Sequence, residues 1–111
     1  MIPIVIKNSR VPKLLSWVIN IRAITLFPFI FISDNGDDTL IRHESIHIQQ
    51  QLELGIIGFY FVYLIDYAFK YFKYGNGPRA YYNIVFEREA YNNQHESGYL
   101  LRRRRWECFR I

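Results

Sequence analysis

His43-Glu44-Ser45-Ile46-His47 puts two imidazoles four residues apart, with a carboxylate directly after the first. On an α-helix, residues four apart stand one above the other, so His43 and His47 would present ring nitrogens to a single point. Two imidazoles at one point suit Zn²⁺, which binds histidine nitrogen at about 2.0–2.1 Å. Glu44 would point to the side of that pair. From there it can take a proton from a metal-activated water without filling a coordination position. This is the mechanical content of an H-E-x-x-H helix. The signal is specific here, because the chain has only three histidines and two of them fall in the pattern.

A catalytic zinc site needs a third protein ligand and an open fourth position. His95 is the remaining histidine, and the run Phe86-Glu87-Arg88-Glu89-Ala90-Tyr91 offers two carboxylates. Glu87 and Glu89 stand about 200° apart around a helix, so only one can face the metal. Glu87 shares its face with Ala90, Tyr91 and Gln94, and Ala90 is small enough to let two helices lie close. Glu89 shares its face with Tyr82, Val85, Phe86 and Asn93, which reads as packing with one exposed acid. The wheel alone favours Glu87 only slightly. His95, two turns beyond Glu87, reads as a solvated histidine or a proton donor. Gln50 and Gln51 read equally well as orienting groups, as substrate contacts and as ordinary polar positions.

The run H-E-x-x-H-x-x-Q-Q from His43 to Gln51, followed by E-x-x-A from Glu87 to Ala90, resembles the gluzincin type of zinc metallopeptidase. It is similar above all to short bacterial metallopeptidase-like proteins with an HExxH helix and an ExxA helix, several of them membrane-bound. The resemblance covers about residues 40–95. It implies one Zn²⁺ held by His43, His47 and Glu87, with Glu44 as general base. Many gluzincins carry Asp four residues after the ligand glutamate, where it orients a zinc histidine. Tyr91 stands there in this chain. Its phenol could hydrogen-bond, stabilise the oxyanion of a tetrahedral intermediate, or simply pack.

The elements that must position these residues are legible in outline. Residues 2–6 form a short β-prone run, and a helix is expected from Pro12 to about residue 20. Residues 23–32 (AITLFPFIFI) read as one strand, with Pro28 placing it at an edge or bending it. Residues 33–38 form a turn, and Asp37, Asp38 or Thr39 can cap the helix that follows. That helix starts near Thr39 and is expected to run, with a break at Gly55 or Gly58, to about Lys73. Gly75-Asn76-Gly77-Pro78 stops it. A second helix is expected from about Arg79 to Gln94, and a third helix or extended tail over residues 99–109.

The 111 residues fit one domain. Half are hydrophobic and 18% aromatic, which is ample for a packed core and excludes a disordered tail. Lone Cys108 allows no internal disulfide and reads as a bystander thiol. Residues 1–33 carry +4, residues 34–66 carry −5 and residues 67–111 carry +5. The acidic third holds the H-E-x-x-H motif, where a divalent cation would be the largest positive charge.

Residues 55–74 (GIIGFYFVYLIDYAFKYFKY) are apolar or aromatic around the whole helical wheel, as in deeply buried or lipid-facing helices. The charge-free run of residues 54–65 is too short to cross a bilayer, which takes about 20 apolar residues. Arg102, Arg103, Arg104 and Arg105 precede Trp106 and read as a solvated charge run or as a binding surface, for which a juxtamembrane anchor ranks above nucleic acid.

The expectation is therefore a predominantly helical α+β chain, a single zincin-like domain over residues 1–111. Its core spans about residues 23–95, with a basic aromatic segment at residues 99–111. The expected reaction is peptide hydrolysis with zinc, at a membrane and facing the cytoplasm, or soluble in the cytoplasm. The rival readings are a catalytically silent zinc-binding membrane scaffold and a basic nucleic-acid-binding module.

Overall fold

The computed structural model describes residues 4–10, 23–33 and 36–109. The helix expected from Pro12 to residue 20 lies outside them, as do Asp34 and Asn35. The described residues form an α+β architecture of three short strands and a set of helices.

Strands β1 (Ile4–Ile6), β2 (Ala23–Leu26) and β3 (Phe29–Ile32) form one sheet in the order β1-β3-β2. β1 runs parallel to β3, with Ile4 opposite Phe29. β2 runs antiparallel to it, with Ala23 opposite Ile32. The single strand expected over residues 23–32 is thus a hairpin that turns at Phe27 and Pro28. A bend at Pro28 was one of the two expectations, and it is complete enough to reverse the chain. Alternation along β3 buries Ile30 and Ile32 completely. They pack with Ile48 of the following helix.

Helix α1 (Asp38–Leu54) starts where Asp37 Oδ1 accepts the Leu40 N–H at 2.7 Å, with Asp38 at the positive end of the helix dipole. Its Ile46 packs on the side away from the sheet, against Ala90 and Tyr99. α1 ends at Gly55, whose φ of +76° favours glycine, and α2 (Ile56–Tyr74) leaves at 109°. Of the two expected break points, Gly55 is the one used. Gly75, left-handed at φ +65°, closes α2.

The helix expected over residues 79–94 is two helices, α3 (Gly77–Asn83) and α4 (Val85–Asn93). Asn76 caps α3 by accepting the Arg79 N–H at 2.9 Å. Ile84 is extended, and the Val85 N–H that this frees donates to Asp66 Oδ2 at 2.7 Å. Lys70 Nζ completes the elbow, 3.1 Å from Asp66 Oδ1 and 2.9 Å from the Asn83 carbonyl. Asp66, the one carboxylate of α2, thus holds the start of the helix that carries Glu87.

The last segment is not one helix either. α5 (Tyr99–Arg102) is a single turn, and a 3₁₀ turn (Glu107–Phe109) buries Cys108 against Phe59, Ile84 and Phe86. Among the described residues no single helix is long and apolar enough to cross a membrane. α1 and α2 reach that length and composition only as the bent pair.

Candidate metal centre

α1 and α4 touch through Ile46 and Ala90, both fully buried. Ala90 has no bulk to hold the helices apart, and Glu87, one turn earlier, therefore stands opposite His43 and His47. Glu87 Oε1 lies 2.9 Å from His43 Nε2 and 3.2 Å from His47 Nε2. One donor atom from each of the three residues falls within 4.8 Å of the others, and all three side chains are buried. This cluster could hold a metal ion.

Hydrogen bonding at the far side of each ring decides what the cluster needs. His43 Nδ1 is 2.8 Å from Gln94 Oε1, and His47 Nδ1 is 2.7 Å from Gln50 Oε1. The Gln50 orientation is fixed, because its Nε2 donates to the Phe86 carbonyl and to Glu89 Oε1. An amide oxygen only accepts, so each Nδ1 carries a proton, and each Nε2, when it carries none, turns a lone pair toward Glu87. Two lone pairs facing a carboxylate oxygen repel unless a cation sits among them.

The spacing suits a metal. A tetrahedral ion with bonds of about 2.0–2.1 Å keeps its ligand atoms about 3.3 Å apart, close to the two distances from Glu87 Oε1. Glu87 Oε2 accepts the Tyr63 hydroxyl at 2.7 Å, which leaves Oε1 as the single oxygen aimed at the histidines.

A proton meets the same need when no metal does. Burial alone would keep His47 neutral. The charge and hydrogen bond of Glu87, the charge of Glu44 and the Gln50 bond outweigh that and hold its pKa at about 9. Burial likewise opposes ionisation of Glu87, yet the charge of His47 and bonds from both imidazoles hold its carboxyl well below the usual range.

Glu44 stands outside the ligand set. Its Oε2 accepts the Thr25 hydroxyl at 2.6 Å, which ties it to β2. Gln51 secures that strand, donating to the Thr25 carbonyl and accepting the Phe27 N–H, both at 2.7 Å. Glu44, His43, His47 and Glu87 line a cleft of about 880 Å³, walled by Tyr60 and Tyr91 among others. The Tyr91 ring centroid is 4.4 Å from that of His43, and its hydroxyl is 3.1 Å from that of Tyr81. Burial pushes the Tyr91 phenol up to about 12, so it remains a donor near neutral pH.

Four sequence expectations can now be placed. Glu87 joins the histidines and Glu89 does not. Glu89 is not an exposed acid either: it is fully buried and paired with Arg103. His95 is exposed and, among the described residues, reaches Gln94 at 3.4 Å. The arginine run is not uniformly solvated, since Arg103 turns inward between Glu53 and Glu89. Sequence reasoning missed Tyr63 and Gln94 as partners of the cluster. Gln94 was visible as the residue two turns beyond Glu87 on the same face, and Tyr63 as part of the i, i+1, i+4, i+8 face Phe59, Tyr60, Tyr63, Tyr67. No protein-family model, curated protein or solved structure matches this chain.

Proposed function

We propose that this chain is a zinc-dependent peptidase in which His43, His47 and Glu87 hold the ion and Glu44 is the general base. One observation carries the reading. Three buried donor atoms converge, and an independent carboxylate stands beside them in an open cleft. When bound, zinc supplies Lewis acidity that brings a water's pKa toward about 7.

The chain's own groups supply the rest. Glu44, steadied through one oxygen by Thr25, takes the water's proton with the other and returns it to the leaving amine. Gln50 and Gln94 keep both imidazoles in the tautomer that leaves Nε2 free. Tyr91, a neutral phenol on the cleft wall, donates to the oxyanion of the tetrahedral intermediate. The aromatic walls suit a peptide with apolar or aromatic side chains.

The nucleic-acid reading has less support, because three of the four consecutive arginines pair with Glu96, Glu89, Glu53 or Glu107. The test is Glu44→Gln, assayed on a mixed peptide library by mass spectrometry. We expect zinc content to hold while turnover falls roughly 10²–10⁴-fold. A wild type that binds zinc but cleaves nothing in the library would favour the silent scaffold.

A further inference from the structure

We propose that the outer face of α2 seats this protein on an anionic lipid bilayer, lying in the interface without crossing it. α2 has 19 residues, and only Phe59 is fully buried. Ile57 and Phe72 are each 87% exposed, Phe61 and Leu64 65%, Phe69 62% and Ile65 55%. Their spacing of four, seven, eight, twelve and fifteen residues from Ile57 places all six on one face. At roughly 150–250 Å² per aromatic side chain, the three phenylalanines alone expose on the order of 400 Å². A soluble monomer rarely leaves a contiguous apolar patch of that size uncovered.

Charge at the end of this face selects the occupant. Lys73 Nζ lies 5.4 Å from the Tyr74 ring centroid, and the Arg79 guanidinium lies 4.6 Å from it. Both cations are exposed. The one acid between residues 56 and 83 is Asp66, already engaged by Lys70 and the Val85 amide. An apolar stripe ending in a tyrosine flanked by two cations matches acyl chains bordered by anionic headgroups.

A second copy matches poorly. Parallel pairing of two α2 helices brings the cations together. Antiparallel pairing sets them against the α2 N-terminus, which has no acid in its first turn and carries the positive end of the helix dipole. The opposite side of α2 decides depth: Tyr60, Tyr63 and Tyr67 line the cleft, so lipid can reach only one side. From Ile57 to Phe72 the stripe is about 22 Å long, which fits a helix lying in the interface.

The experiment is flotation of the full chain with vesicles of phosphatidylcholine plus phosphatidylglycerol, beside vesicles of phosphatidylcholine alone. The wild type should float with the anionic vesicles. The double variant Phe61→Glu, Phe72→Glu should stay in the aqueous fraction with unchanged circular dichroism, since both side chains are exposed. Lys73→Ala with Arg79→Ala should weaken anionic-vesicle binding roughly thirtyfold and leave binding to neutral vesicles unaltered. If the first variant does not fold, the second still decides. A wild type that ignores both vesicles overturns the proposal, as does a charge variant that binds like wild type. So does a dimer in sedimentation that Phe61→Glu, Phe72→Glu abolishes while no vesicle is bound. None of these results depends on peptidase activity.

Discussion

Glu87 and Glu89 stand two residues apart on α4, both buried, and their surroundings answer the same problem in opposite ways. Glu89 is supplied with a permanent counter-charge. Arg103 reaches its Oε2 at 2.5 Å and its Oε1 at 3.0 Å, while the Tyr99 hydroxyl and Gln50 Nε2 fill its remaining acceptor positions. Arg103 is shared with Glu53 at 3.0 Å, and all three charged side chains are almost fully enclosed. Glu87 meets no Lys or Arg among these contacts, only a phenol and the Nε2 atoms of two imidazoles. The comparison separates a buried charge already neutralised by a guanidinium from one in a cluster that could hold a metal ion. Gln50 joins them, holding His47 with its oxygen and Glu89 with its nitrogen. The structural ion pair therefore also steadies His47.

The largest effect is expected where the neutralised side is broken. Arg103→Ala leaves Glu89 and Glu53 enclosed without a counter-charge and should cost about 3–5 kcal/mol in urea denaturation. A loss below about 1 kcal/mol would mean that this pair behaves like a surface ion pair, and the contrast would fail.

Next comes pH, read on chain stripped of metal by a chelator. His47 is raised from 6.5 to about 9 in the fold, so its stabilisation is full below 6.5 and is lost as pH rises through about 9. Glu87 is depressed, so its share persists above the ordinary 4.5 and is lost only on strong acidification. The guanidinium of Arg103 stays charged across this range and adds no alkaline loss. Urea midpoints that do not fall between pH 6.5 and about 9 would contradict the proton-filled cluster. Zinc should suppress the fall, because metal replaces the proton.

A finer separation uses the two amides. Gln50→Ala and Gln94→Ala should each weaken zinc binding about 10–100-fold by calorimetric titration. Only Gln50→Ala should also lower stability, since Gln94 has no part in the Glu89 network. Equal stability losses would show that the two regions are not distinct.

The site was legible to the extent that helix period governs it. H-E-x-x-H specifies a face, and that face is where His43 and His47 stand. The choice between Glu87 and Glu89 was barely legible, because a wheel separates two faces without saying which one meets α1. That depends on Arg103, fourteen residues on, and on close packing at Ala90. The split at Ile84 had no glycine or proline to announce it, since its cause is Asp66 on another helix. At Pro28 a bend was legible as one of two options, but its size, a full hairpin, was hidden by apolar arms that read as one strand. Break points with a local cause were legible: Gly75 directly, and Gly55 as one of the two glycines expected.

The central claim is that Glu87, and not Glu89, completes a cation site. Elemental analysis of zinc on the purified wild type, Glu87→Gln and Glu89→Gln tests it most directly. The account predicts about one zinc per chain in the wild type and in folded Glu89→Gln, with sharp weakening in Glu87→Gln. Absence of zinc from a wild type refolded with metal, or full retention in Glu87→Gln, would contradict it.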